Sequence, residues 1–171
     1  SDVFLFVGGN DYKLDDQPVI DAFNQYFGGG FNGIVLQELR EIRSFAYSAN
    51  AVYRTQPIPG EKTMLIGVSG TQSDKPADAV IEFLKLIKEM PEKPERMDNI
   101  KNYLVLSSQA SKPNFRVLSQ SIENWELKGY TDDPNRILIP KYQELTFDSF
   151  MSFYKNEILG RPVTIAIVGN K

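Results

Sequence analysis

Two side chains seven positions apart, Arg40 and Tyr47, are the residues of this sequence to which we assign function. Arginine supplies a permanent charge and a planar set of N–H donors, and tyrosine supplies a hydroxyl donor. Both lie in the stretch 26–48, YFGGGFNGIVLQELREIRSFAYS, which predicts a helix that leads into a strand. Because seven residues are about two helical turns, we expect both side chains to project from one side near the helix end. By residue type alone, an arginine on a helix and a tyrosine at a strand start are more often structural.

Three consecutive glycines, Gly28, Gly29 and Gly30, interrupt the helical pattern. Each costs about 1 kcal/mol relative to alanine inside a helix, so they predict a break or hinge between a helix ending near Phe27 and one starting near Phe31. A phosphate-binding loop is the alternative, but no Gly-Lys-Ser/Thr follows and no strand leads directly into the glycines. The outgoing helix is expected to bury a stripe at helical spacing: Phe31, Val35, Leu39 and Ile42.

The sequence contains no histidine and no cysteine, which excludes several kinds of active site. Zinc sites are built mainly from these two residues, so we expect no metal to be bound by this chain alone. Cysteine nucleophiles and Ser-His-Asp triads are excluded for the same reason. The chain by itself is therefore not expected to be an enzyme.

Ser152 and Lys155 match the S-x-x-K pattern of penicillin-recognising enzymes, which gives one hypothesis of a self-contained serine acylating enzyme. Such enzymes also carry S-D-N and K-T-G, and this chain offers only Ser73-Asp74-Lys75 and Lys62-Thr63-Met64. We therefore favour an exposed position on an amphipathic helix for Ser152.

Glu38 and Glu41 are spaced i, i+3 and could in principle act as an acid and a base. They alternate with Arg40 and Arg43, which favours helix-surface ion pairs worth a few tenths of a kcal/mol each. Ion pairing is our interpretation of this cluster.

Length and composition indicate one soluble domain covering residues 1–171. The hydrophobic fraction is 42%, and no apolar run approaches the ~20 residues of a membrane span. The net charge is −3 with interspersed signs, so we expect neither nucleic acid nor a membrane surface as partner. The chain opens at Ser1-Asp2 and enters a strand by Val3, which suggests a fragment of a longer parent.

The order of predicted elements indicates an α+β fold, with a mixed or antiparallel sheet and helices packed on one face. Tyr130 to Pro134 is read as a turn, and Thr146 is expected to cap the last helix. The second helix of a predicted pair is expected to turn Phe115, Leu118, Ile122 and Trp125 inward. The predicted elements are a buried strand 3–7 closed by a turn at 8–10, a helix from 15–18, a strand 47–54, a turn 56–60, a strand 64–68, a helix from 73–76 to Pro91, helices 96–110 and 114–128, a helix from 146 to Gly160 and a buried strand 163–168.

The stretch 26–48 resembles the signature of the carboxy-terminal domain in the pitrilysin/insulinase family of zinc metallopeptidases, the inverzincins, whose relatives include mitochondrial processing peptidase. In that family a glycine-rich bend leads into a helix that ends in an R-E-x-x-G-L-A-Y-S-type sequence. This chain departs from the pattern at Ser44, where glycine is usual, at Phe45, where leucine is usual, and at Asn32-Gly33, where two serines often stand. The matching residues are Gly28 to Gly30, Phe31, Leu36, Gln37, Glu38, Arg40, Glu41, Ala46, Tyr47 and Ser48.

The resemblance implies a division of labour between two domains. The zinc and the general base of the family lie on an H-x-x-E-H helix in a separate, related domain, on the same chain or on a partner subunit. Arg40 would contact a backbone carbonyl of the peptide substrate, and Tyr47 would donate to the oxyanion of the tetrahedral intermediate. This chain would then be the non-catalytic, substrate-binding half of a zinc metallopeptidase. The alternative is a scaffold or interaction domain in a homologue without peptidase activity.

Overall fold

One four-stranded sheet forms the centre of the protein in a computed structural model that describes residues 1–56 and 58–169. Its strand order is β2-β3-β1-β4, and each neighbouring pair is antiparallel. Helices pack on one face of the sheet, which confirms the predicted α+β fold. The strands are β1 (Asp2–Asp11), β2 (Ala46–Arg54), β3 (Lys62–Thr71) and β4 (Val163–Val168).

Seven helices accompany the sheet in the described part of the chain. A short π-helical turn, Asn24–Gly28, extends the first of them, and another, Gln37–Ile42, extends the second. Phe23 lies at the centre of the core, where its ring stacks on Phe27 at 5.2 Å and on Phe150 at 6.0 Å between centroids. The helices are α1 (Gln17–Phe23), α2 (Ile34–Leu36), α3 (Pro76–Lys88), α4 (Met97–Ala110), α5 (Leu118–Leu127), α6 (Pro134–Glu144) and α7 (Phe147–Glu157).

Side chains alternate along the strands between a helix-covered inner face and an uncovered outer face. On the inner face, Val3, Leu5 and Leu65 are at most 1% exposed. On the outer face, Met64 and Val68 are each 36% exposed, although both are apolar. The side chains of the outer face include those of Phe4, Phe6, Val52, Met64, Ile66 and Val68.

Both ends of the chain differ from the sequence prediction. Strand β1 does not end at Val7 but continues to Asp11. A register shift between Gly8 and Asp11 accommodates the glycines within the strand, so the predicted turn does not form. Strand β4 is at the sheet edge and pairs with β1. Ile167 is therefore 53% exposed, so the prediction of a buried final strand was wrong.

Two predictions in the helical region were also wrong. The predicted inward stripe in and just before α5 is largely exposed, with Phe115 at 80% and Ile122 at 42%. Within that stripe, Trp125 packs against the core. Pro134, placed in a turn, instead begins α6, where the side chain of Asp133 accepts a hydrogen bond from Asn135 N–H as the N-cap. Leu118, the remaining member of the stripe, is 40% exposed.

Two further predictions, the cap of the last helix and the antiparallel sheet, are confirmed. Thr146 caps α7 in a capping box with Ser149, whose N–H donates to Thr146 Oγ1 at 3.1 Å. Strands β2 and β3 pair antiparallel, in keeping with the predicted mixed or antiparallel sheet, and the predicted turn between them includes Pro57, which lies outside the described residues. None of the described helices is long and apolar enough to cross a membrane.

Candidate functional site

A sharp bend joins the first two helices and places the site at the edge of the sheet. Gly28 ends the π-helical turn after α1, Gly29 follows it, and Gly30 begins a short 3-10 turn. A Cβ on Gly28 would overlap the carbonyl oxygen of Ala51 in β2, so only glycine allows the bend to lie against this strand. Movement about the glycines, the predicted hinge, stays a prediction.

The helix after the bend begins three residues later than the sequence predicted. Val35 and Leu39 of the predicted stripe are fully buried, but Phe31 is 79% and Ile42 65% exposed. Phe31 lies in the 3-10 turn before α2, and the stripe therefore does not include it. The buried residues of this helix do not follow the predicted spacing of three and four. They are Ile34, Val35, Leu36 and Leu39.

Arg40 lies on the π-helical turn that continues α2. Its side chain is 44% exposed, and Nε lies 3.4 Å from Glu41 Oε1. Arg43 pairs with Glu38 at 3.9 Å and with Glu82 of α3 at 2.9 Å, so the ion pairs predicted within the helix form and one further pair anchors it to α3. Insertions of one residue into a helix, as in a π-helical turn, are common at functional sites.

The helix does not reach Tyr47, so helical spacing does not determine the position of Tyr47 relative to Arg40. The π-helical turn ends at Ile42, and Tyr47 lies in β2 where the register with β3 shifts between Ala46 and Ser48. Its ring, 64% exposed, lies across Gly70 of β3, where an added Cβ would be 2.5 Å from Tyr47 Cζ. Because Ser69 is buried on the inner face, Tyr47 and Gly70 meet on the outer face.

A groove of about 330 Å³ opens beside Arg40 at the same edge. Arg40, Ser48 and Val68 line it together with the glycine bend. Val68 and Gly70 are consecutive outer-face positions of β3, about 7 Å apart at the usual strand rise. The groove therefore reaches the outer face next to the ring of Tyr47, while Arg40 borders it from the helix at the edge of the sheet, and Gly28 and Gly30 also border it.

Two residues that sequence reasoning missed hold this edge in place. Arg96 donates to the carbonyl oxygen of Asn32 at 2.8 Å and to Gln37 Oε1 at 2.6 Å, and so joins the bend to the Arg40 helix. Asn24 accepts a hydrogen bond from Tyr53 N–H at 2.6 Å and donates to Tyr53 O at 3.0 Å. The Asn24 amide thus satisfies the backbone N–H and C=O groups of Tyr53, to which a further strand would otherwise hydrogen-bond at this end of β2.

The remaining chemical patterns do not assemble into a site. Ser152 is exposed on α7, whereas Lys62, from the partial K-T-G match, pairs with Asp11 at 2.6 Å on the sheet. Among residues 1–56 and 58–169, no group of three or more His, Cys, Asp or Glu side chains is arranged to hold a metal ion. The residues that the structure describes therefore offer no donor set that fits zinc.

Comparison with known proteins gives a consistent picture. The chain is similar to the family model described as the peptidase M16 inactive domain, which matches residues 3–104 and thus more than half of the chain. No curated protein sequence matches it.

Solved structures of the same fold cover almost the whole chain. A peptidase M16 inactive domain from Pseudomonas fluorescens matches 96% of this chain and 40% of its own, with 21% identity and a TM-score of 0.72. A protease from Helicobacter pylori matches 96% of this chain and 39% of its own, with 13% identity and a TM-score of 0.74. The chain thus spans about two fifths of these two structures. The inactive peptidase domain of a proposed zinc protease from Bordetella parapertussis matches 99% of this chain and 92% of its own, with 11% identity and a TM-score of 0.70.

Proposed function

Because the chain belongs to the family of peptidase M16 inactive domains, we propose that it is the substrate-binding, non-catalytic half of a zinc metallopeptidase. The observation that supports this most is that Arg40 and Tyr47 are both partly exposed at one edge of the sheet, where Arg40 lines a groove and the ring of Tyr47 lies across the neighbouring Gly70. The zinc and the general base belong to an H-x-x-E-H domain on the same chain or on a partner. That domain supplies the metal chemistry, and this chain supplies substrate contacts.

Arg40 is the residue we propose to bind the peptide backbone. Its guanidinium is partly exposed, and its only ion-pair partner in the described residues is the exposed Glu41 at 3.4 Å, an interaction that water screens strongly. Free N–H groups remain for a peptide carbonyl, because a guanidinium carries five donors. Binding would exchange a weak surface ion pair for a hydrogen bond in a less hydrated site.

Tyr47 is the residue we propose to act in the transition state. Its ring lies across Gly70, which limits the directions in which the hydroxyl can point. A positioned O–H donor stabilises an oxyanion more than it stabilises the ground-state carbonyl, and loss of one such donor typically costs about 10²–10³ in rate.

The outer face is the surface we propose to meet the catalytic domain. It holds apolar side chains that the helices of this chain leave partly exposed, such as Met64 and Val68 at 36% each. An apolar surface next to Arg40 and Tyr47 suits a second domain that closes over the same peptide. We further propose that the chain is one domain of a longer parent, in keeping with its share of the related structures.

The proposed function is tested by peptide hydrolysis with the full parent protein, or with this chain mixed with its H-x-x-E-H partner. Tyr47→Phe and Arg40→Ala should each lower kcat/KM at least about tenfold, and Tyr47→Phe should act mainly on kcat. The isolated chain should cleave nothing. Matched controls are Tyr103→Phe, which removes another exposed phenol hydroxyl, and Arg136→Ala, which removes another exposed guanidinium.

The outcomes separate the hypotheses. Equal cleavage by the wild type and both variants would make Arg40 and Tyr47 structural. A parent that binds no zinc and cleaves no peptide would favour the scaffold role.

A further inference from the structure

The glycine bend carries a dipeptide whose chemistry the proposed function does not use. Asn32 is followed by Gly33, whereas each of the other ten asparagines of the chain is followed by a residue with a side chain. The backbone nitrogen after an asparagine can attack the carbon of the side-chain amide. Glycine obstructs this attack least, because it has no Cβ and its backbone turns freely. Asn32 is therefore the asparagine of this chain that loses its amide most readily.

The reaction is a spontaneous deamidation in two steps. The Gly33 N–H gives its proton to water or hydroxide, and the nitrogen forms a bond to Asn32 Cγ. The bond between Cγ and the amide nitrogen breaks, ammonia leaves, and a cyclic imide remains. Water then opens the ring at Cγ to give aspartate, or at the backbone carbonyl carbon to give isoaspartate. The net change replaces an amide by a carboxylic acid and consumes one water.

The fold itself requires the glycine that makes this reaction easy. A Cβ on Gly33 would lie 2.7 Å from the backbone nitrogen of Gly29 and 2.8 Å from the carbonyl carbon of Gly28. A side chain at this position would overlap backbone rather than a flexible group, so glycine is retained. Asn32 is exposed, and its side-chain amide has no hydrogen-bond partner among the described residues. Close packing of the bend thus keeps an Asn-Gly pair at the surface.

The closed bend restrains the attacking nitrogen. Gly33 is buried, and its N–H donates to Gly30 O at 3.3 Å. Asn32 belongs to the 3-10 turn, where Arg96 donates to its carbonyl oxygen at 2.8 Å. The attack requires that the N–H leave its acceptor and that the peptide group between Asn32 and Gly33 rotate towards Cγ. The bend must therefore open locally before the reaction can proceed.

We propose that Asn32 is a site of spontaneous deamidation whose rate is set by local opening of the bend, with Arg96 as the residue that keeps the bend closed. This inference goes beyond the proposed function, because the reaction needs neither a peptide substrate nor a catalytic domain. Either product places a carboxylate on the turn that borders the groove of Arg40. Isoaspartate also adds one carbon to the backbone of the bend.

The test is incubation of the complete 171-residue chain at mildly alkaline pH, followed by mass spectrometry of the tryptic peptide from Leu14 to Arg40. Deamidation should raise the mass of this peptide by about 1 Da, at Asn32 and not at Asn24. In isotopically labelled water, the product should carry one labelled oxygen. The rate at Asn32 should exceed that at any other asparagine at least about tenfold, which corresponds to about 1.4 kcal/mol in the barrier.

Arg96→Ala tests the restraint. In the folded protein it should speed deamidation of Asn32 at least about tenfold, because the bend opens more often without the guanidinium. In denaturing urea, wild type and Arg96→Ala should react at the same rate, and both should react faster than folded wild type. Asn32→Ser should abolish the product, whereas Asn50→Ser, which removes another exposed asparagine, should leave it unchanged.

The contrary results are distinct. Product spread evenly over the asparagines would overturn Asn32 as the site. Equal rates in folded and denatured wild type would show that the bend restrains nothing. An unchanged rate in folded Arg96→Ala, or an equal acceleration at all asparagines through global unfolding, would overturn the role of Arg96. None of these results depends on zinc or on peptide hydrolysis, so they are separate from a failure of the proposed function.

Discussion

At the scale of single residues, Ser44 shows how the Arg40 helix ends. Ser44 has φ of 54°, its N–H donates to Arg40 O at 3.1 Å, and Phe45 N–H donates to Leu39 O at 2.9 Å. The left-handed conformation costs a non-glycine residue roughly 1–2 kcal/mol, which gives a physical reason for the glycine usual here in the family pattern. The helix cap is formed despite this cost.

Ser44→Gly should therefore stabilise the protein. We expect the free energy of unfolding to rise by up to about 1 kcal/mol, because relief of the left-handed strain exceeds the added backbone entropy of glycine in the unfolded chain. Urea denaturation measures this change. Ser107→Gly, at an exposed position within α4, is the control and should destabilise by roughly 0.5–1 kcal/mol. A destabilised Ser44→Gly protein would contradict this account of the cap.

The sequence selects candidate residues for the site, but it does not predict how the fold positions them. Residue types and a motif select Arg40 and Tyr47 as candidates, whose role stays a prediction, and the expectation that helical spacing relates them was wrong. A π-helical turn and a register shift at Tyr47 bring them to one edge, and neither has a clear sequence signal. Arg96, which holds the bend, is too far along the chain from Asn32 for any local pattern to reveal it.

At the scale of elements, the bend between α1 and α2 depends on Arg96. Besides its hydrogen bonds to Asn32 and Gln37, its guanidinium lies 5.9 Å from the centre of the Tyr26 ring. One side chain thus joins the start of α4 to both sides of the bend. This arrangement makes the conformation of the bend sensitive to a residue that does not line the groove.

Arg96→Ala should destabilise the protein by about 1.5–3 kcal/mol, since charged hydrogen bonds to two groups are lost. Amide hydrogen exchange should speed up most at residues 28–37, while exchange in α7 changes only in proportion to global stability. Arg136→Ala removes an arginine whose pair with Asp132, at 3.5 Å, is exposed, and should cost less than about 1 kcal/mol. Uniform acceleration across all helices in Arg96→Ala would mean that Arg96 does not act locally on the bend.

Helical periodicity predicted elements well but could not predict what covers them. α7 and α5 both carry apolar residues at helical spacing, yet Phe150 of α7 is fully buried while Phe115 before α5 is 80% exposed. The spacing of side chains fixes which ones share a face, and tertiary packing decides whether that face is covered. For α6, Pro134 and Pro140 concealed a helix that begins at the first proline and contains the second.

At the scale of the whole molecule, a partly buried carboxylate links α1 to α6. Asp21 of α1 accepts hydrogen bonds from Tyr142 of α6 at 2.6 Å and from Gln17 at 2.8 Å. Gln17 in turn accepts from Tyr12 at 2.6 Å, and burial raises the pKa of Tyr12 to about 12. Burial also raises the pKa of Asp21 above its ordinary value of 3.8, although these hydrogen bonds and the nearby Lys128 act against the shift.

The raised pKa of Asp21 predicts how stability changes with pH. In the folded state the carboxyl keeps its proton to higher pH than in the unfolded state, so Asp21 lowers the free energy of unfolding as pH rises through the window above 3.8. Asp21→Asn removes this dependence while an amide still bonds to Tyr142. The variant should therefore gain stability relative to wild type as pH rises from about 4 towards neutrality, in denaturation series at matched pH.

Asp15 provides the control of opposite sign. The hydrogen bond from Lys141, at 2.7 Å, lowers the pKa of this exposed carboxyl, so its contribution to stability is present above the unfolded pKa and lost as pH falls. Asp15→Asn should thus lose stability relative to wild type at neutral pH, and only slightly, because water screens the pair. If Asp21→Asn instead lost stability as pH rose, the carboxylate would be stabilised by its neighbours in the folded protein. The link between α1 and α6 would then be strongest with Asp21 charged, contrary to the burial that the structure gives it.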